Sequence, residues 1–196
     1  MRKILEAMIV GILFGFLTHV IEEKLPSDWQ FLVDTKAIWL IPAFLIAFNL
    51  PLRRRYSDAI IVSIITLLAT GITYYTNDFA IMEGRWRFAS EFENFIIPAI
   101  IAGAITGYIA YLGHSATHDI IRYASVAVLP AIYTGGGVEG IISSINNFSL
   151  TPEIATELIG GLIFYILLAG KNKLKLKSTV SYIVLTIIAT LGISIT

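Results

Sequence analysis

The sequence predicts an all-α, polytopic transmembrane helix bundle of about seven spans, with the N-terminus inside. Three observations predict it. The 196 residues are 56% hydrophobic and only 14% charged, whereas a soluble domain carries about 25% charged residues. The apolar residues fall in long runs that are apolar all round, not on one stripe, as expected of helices immersed in lipid. Finally, the basic residues sort to one side once the runs are threaded through a bilayer. Disorder is excluded by the hydrophobicity, and a disulfide scaffold by the absence of cysteine. A net charge of zero gives no electrostatic footprint for a nucleic-acid partner.

A spanning helix needs about 20 predominantly apolar residues. The first candidate, Ile4 to Ile21, is interrupted by Glu6 and His19. It follows Arg2 and Lys3 like a signal peptide. No small-x-small cleavage site comes after it, so it reads as a retained helix. The second, Ala37 to Leu52, is the shortest. The third is Ala59 to Tyr75, and the fourth is Phe95 to Gly113. The fifth runs from Ile120 to Thr134 and meets Gly135-Gly136-Gly137, which reads as its stop. After it, 138–145 is apolar enough for a re-entrant or interfacial segment. The sixth, Pro152 to Gly170, opens on Thr151-Pro152-Glu153, a helix cap followed by proline and an acid where the dipole favours them. The seventh, Ser178 to Thr196, carries no charge. Together these make one integral membrane domain over residues 1–196.

Lysine and arginine accumulate in short cytoplasmic loops. Seven spans from an inside N-terminus place Arg2, Lys3, Arg53 to Arg55, Arg122 and the lysines at 171, 173, 175 and 177 inside. These are ten of the fourteen basic residues. Six spans result if the short second segment does not cross, and the arginine cluster then moves to the wrong side. The predicted location is the cell membrane, as a multi-pass protein, with the lipid bilayer as principal partner.

Inside the spans, Gly11-x-x-x-Gly15, Gly103-x-x-x-Gly107 and Gly160-Gly161 mark faces where helices approach closely. His19 shares the face of the first pair, and Glu157 shares that of the last, so both should look into the bundle. Three hydrophobic-Pro-Ala units contain Pro42, Pro98 and Pro130. Pro98 is expected in the first turn of its helix, where proline costs little. Pro42 and Pro130 are expected to open the outer half of the bundle. Spans one to three and four to six match loosely as an inverted repeat.

These features suggest an outward-facing polar cavity lined by His19, Glu22, Tyr74, Tyr75, Tyr133, Glu139 and Glu157. Ionisable groups in a span are costly and usually placed for a reason. The protein would then bind or transport a small solute from the outer side, as a permease or transporter subunit. Its size suits a homo-oligomer or a partner membrane subunit. A second reading is a membrane-embedded metal-dependent enzyme. His114-x-x-x-His118-Asp119 has two histidines four apart, a spacing that suits zinc if the helix continues through both. A third is a structural or assembly subunit without its own site. No HExxH, Gly-x-Ser-x-Gly or P-loop is present, so nothing calls for hydrolase or nucleotide chemistry. Arg85-Trp86-Arg87-Phe88 suits a bilayer interface.

Overall fold

The computed structural model describes residues 2–22, 24–26, 37–51, 55–81, 87–143, 151–171 and 176–193. Every regular element among them is helical. They are α1 (Arg2–Glu22), a 3-10 turn (Ala37–Trp39), α2 (Leu40–Phe48), α3 (Tyr56–Ile81), α4 (Arg87–Ser115), α5 (Asp119–Ser143), α6 (Pro152–Lys171) and α7 (Leu176–Ile193). The all-α fold is thus as predicted. Among the described residues, the stretches Arg2–Glu22, Tyr56–Thr76, Asn94–Ser115 and Asp119–Ser143 are long and apolar enough to cross a membrane.

The distribution of side chains is that of a membrane protein. Large apolar residues face outward: Leu13, Ile97, Ile105, Ile159, Leu167 and Leu191 are all exposed. The interior is instead rich in small and hydroxylated residues such as Ala7, Ser63, Thr66, Thr70, Thr106 and Ser178. Water would penalise such an outer surface, whereas lipid would not.

The chain forms two compact units, Met1–His114 and Ser115–Thr196. The boundary follows the fourth helix, so the units do not coincide with the suggested repeat of spans one to three and four to six.

In the first unit, α3 is central. A Cβ at Gly11 would lie 2.5 Å from the Thr66 carbonyl oxygen and 2.7 Å from Ala69 Cβ. Only glycine allows α1 this close to the α3 backbone. Gly103 and Gly107 do the same for α4, against Ile64 and Ala59–Ile60. The threonines of α3 can be buried there because their hydroxyls donate within the helix. Thr66 donates to the Val62 carbonyl at 2.9 Å, and Thr70 to that of Thr66 at 2.8 Å.

The short second span is a half-length helix. Nine residues of α2 rise about 14 Å, half the hydrocarbon thickness. Trp39, Ala43 and Phe44 are almost completely buried, and α2 packs on α3 and α1. Irregular backbone around such a helix is tolerated where protein covers it.

The prolines exchange their expected roles. Pro42 is the third residue of α2, in its first turn. Pro98 lies well inside α4 because that helix begins at Arg87. Pro130 is inside α5, as expected.

In the second unit α5 packs on both α6 and α7. The glycine run does not end it, and the helix continues to Ser143. Each glycine there replaces a side chain with a helix contact. Gly135 lies against Ala189, Gly136 against Glu157, and Gly137 against Leu158. The packing offsets glycine's helix penalty of about 1 kcal/mol. Residues 138–143 are therefore α5, and the remainder of the suggested re-entrant segment lies outside the described residues. One turn further along the same face of α6, Gly161 sits against Thr134 and the Pro130 carbonyl.

Candidate functional site: an acidic cleft between α5 and α6

Of the residues expected to line one cavity, His19, Glu22, Tyr74 and Tyr75 belong to the first unit and Tyr133, Glu139 and Glu157 to the second. In the first unit, α1 and α3 bring His19, Glu22 and Tyr74 together. The Tyr74 hydroxyl donates to the Glu22 carboxylate. The His19 ring stands edge-on to Tyr74 at a centroid distance of 5.9 Å and is buried. Trp39 packs on Tyr74 at 5.2 Å and on Phe95 at 5.3 Å. Tyr75 belongs to this aromatic core, at only 3% exposure. The arrangement is tightly filled.

The second unit contains an open cleft of about 430 Å³. One wall is a stripe of α5: Gly136, Glu139, Gly140 and Ser143. The other is the first turns of α6, with Glu153, Ile154 and Glu157 following Thr151. Helical periodicity explains both walls. Gly136 and Gly140, like Glu153 and Glu157, are one turn apart and therefore stacked on one face.

The start of α6 is built as its sequence predicts. Thr151 Oγ1 accepts the Ile154 amide at 3.3 Å, and its carbonyl accepts the Ala155 amide at 3.1 Å. Pro152 takes the first helical position, where its missing amide costs nothing. The cap fixes the direction of α6 and hence the placement of Glu153 and Glu157.

Glycine makes room for the second carboxylate. A Cβ at Gly136 would lie 2.9 Å from Glu157 Oε2, and one at Gly140 would lie 2.7 Å from Ile154 Cγ1. A larger residue at Gly136 or Gly140 would press on Glu157 or Ile154. Among the described residues, three carboxylates line the cleft, from Glu139, Glu153 and Glu157, and no lysine, arginine or histidine does. Its potential is therefore negative, and the matching ligand chemistry is cationic. Tyr133, also expected in the cavity, is on α5. Its hydroxyl is buried and has no hydrogen-bond partner among the described residues, and Tyr133 is not among the residues that line the cleft.

The proposed metal pair is not arranged as the spacing suggested. Helix α4 ends at Ser115 and α5 starts at Asp119, so His114 and His118 do not share a continuous helix. The His114 ring packs edge-on to Phe48 at 5.6 Å. His118 is exposed in the intervening bend. Asp119 accepts a hydrogen bond from Arg122 at 2.9 Å. Among the described residues, no three histidine, cysteine or acidic side chains are grouped to hold a metal ion. Two other sequence features, Arg85-Trp86-Arg87-Phe88 and Arg53-Arg54, lie outside the described side chains.

Some cleft residues were not picked out by sequence reasoning. Thr151 and Glu153 stand out in the sequence as a helix cap and not as a cleft wall, and Gly140 and Ser143 carry no motif. The available signal was periodicity: Gly136, Glu139, Gly140 and Ser143 form one helical stripe if α5 continues past its glycines.

The chain belongs to the DUF6518 family. The family model matches residues 1–196, and its description is a family of unknown function. No curated protein and no solved structure matches the chain.

Proposed function

We propose that this protein is a multi-pass membrane protein that binds a small organic cation in the cleft between α5 and α6, as a permease or as the binding subunit of a transporter. The observation that carries the reading is the set of three carboxylates around an open cleft with no basic side chain among the described residues of its lining. Grouped carboxylates repel one another, and a cation relieves that repulsion. The volume, about 430 Å³, lies within the 300–1,000 Å³ usual for small-molecule sites. It is more than a bare metal ion needs and is large enough for a ligand with a carbon skeleton.

The seven-span threading supports a role in capture from outside. It puts the end of α5 and the start of α6 on the outer side, with the lysines at 171–177 on the inner side. An approaching cation would then meet Glu139 and Glu153 before Glu157. Glu157 lies one turn deeper along α6, where desolvation strengthens its attraction for a bound charge.

Titration calorimetry of the purified protein in detergent micelles, with putrescine as the probe, tests the reading. Saturable binding is expected, weakened about tenfold by Glu157→Gln, the equivalent of roughly 1.4 kcal/mol. Absence of saturable binding of putrescine to the wild-type protein, or equal binding by Glu157→Gln, would overturn it.

A further inference from the structure

The cleft is lined by α5 and α6, yet much of what holds its glycine wall comes from α7. Tyr182 of α7 and Thr134 of α5 join their hydroxyls at 2.5 Å. The next residue, Gly135, is pressed against Ala189, and its carbonyl, at 3.3 Å, shares the Thr190 hydroxyl with the Thr186 carbonyl of α7, at 2.9 Å. The residue after that is Gly136, which faces Glu157. Two contacts from α7 thus grip the residues immediately before the cleft wall. Helix α7 is braced on α6 as well. The Tyr165 hydroxyl is 2.9 Å from both Ser178 Oγ and Thr179 Oγ1, and the Tyr165 and Tyr182 rings stack at 4.3 Å. Tyr165, Ser178, Tyr182 and Thr190 are all buried.

We propose that α7 positions the binding cleft, with Tyr182 and Thr190 as the positioning residues that set the spacing between Gly136 and Glu157. The proposal rests on the cleft being the binding site. The physical reason is the lack of a side chain at Gly135 and Gly136. Gly135 meets α7, and Gly136 meets the end of the Glu157 side chain, so the bonds from α7 add to the α6 contacts of Thr134 and Gly137 in holding this part of α5 in register. Tyr182 and Thr190 touch nothing that enters the cleft. They act through the backbone they hold.

The chain contains no cysteine, so nitroxides can be placed solely at Ser143→Cys and Glu153→Cys, one on each wall. Dipolar broadening between them reads cleft spacing without any ligand. Tyr182→Phe and Thr190→Val are each expected to alter that broadening, while Thr190→Ser, which keeps the hydroxyl, preserves it. Without the labels, Tyr182→Phe and Thr190→Val should each bind putrescine about threefold more weakly, the scale of one interhelical hydrogen bond. Thr190→Ser should bind as the wild type does. Unchanged broadening in both variants overturns the proposal, and so does altered broadening with unchanged affinity. Altered broadening in a protein whose wild type does not bind putrescine overturns the cleft as a binding site and leaves the bracing by α7 in place.

Discussion

Replacing Gly107 by alanine should destabilise the first unit, while the same change at Gly160 should not. A Cβ at Gly107 would lie 2.5 Å from the Ala59 carbonyl oxygen and 2.7 Å from Ile60 Cα. Both neighbours are backbone, so neither can rotate away. Restoring ordinary van der Waals spacing requires α4 to retreat from α3 by about 0.9 Å, enough to forfeit a quarter to a half of the dispersion energy along the contact. Overpacking of this kind costs about 1–3 kcal/mol. Alanine recovers at most about 1 kcal/mol through its helix preference, so a net loss of about 1–2 kcal/mol is expected. Gly160 has nothing within 4 Å of its Cβ position. Alanine there keeps the propensity gain and should stabilise by up to about 1 kcal/mol. Reversible unfolding by titrating a denaturing detergent into mixed micelles, followed by circular dichroism, measures both. Equal stability of Gly107→Ala and wild type, or a loss at Gly160→Ala matching that at Gly107→Ala, would refute the packing argument.

Three further outcomes are expected. Ser63 is fully buried and its hydroxyl has no hydrogen-bond partner among the described residues. Ser63→Ala should therefore leave detergent unfolding unchanged or shift it up by about 1 kcal/mol, and a clear loss would show that the hydroxyl has a partner. Putrescine binding should weaken as salt rises toward 1 M, where the Debye length is about 3 Å. Calorimetry that found the affinity independent of salt would exclude carboxylate attraction as its source. Reporter tags on Met1 and Thr196 should be found in opposite compartments under the seven-span threading. Tags in the same compartment would require an even number of crossings and a new assignment of the outer side.

Most of the helices were legible in the sequence because the signal is local. A run such as Ile4 to Ile21 is apolar whatever it packs against, and lipid leaves its backbone no alternative to internal hydrogen bonds. The start of α6 was legible for a similar reason, since Thr151, Pro152 and Glu153 act within one turn. The glycine run of α5 was misread because glycine ends a helix or lets one approach closely, according to what lies beside it. The same holds for the prolines. Whether Pro98 sits in a first turn depends on α4 beginning at Arg87, which the apolar run from Phe95 does not reveal. His114 and His118 carried the spacing of a metal site only on the assumption of a continuous helix, and the helix ends at Ser115.

Composition and periodicity by themselves determined that this chain is a helical protein of the lipid phase, and which helix faces carry small and ionisable residues. Those properties follow from the solvent and from a 3.6-residue repeat, and both act along a single segment. The tertiary structure decided which ionisable residues meet. Within the first unit it brought His19, Glu22 and Tyr74 together and buried Tyr75 among aromatic rings, and within the second it brought Glu153 to the cleft that Glu139 and Glu157 line. Such pairings depend on how closely neighbouring backbones approach, and that distance is set at Gly135, Gly136, Gly137 and Gly161 by side chains from other helices.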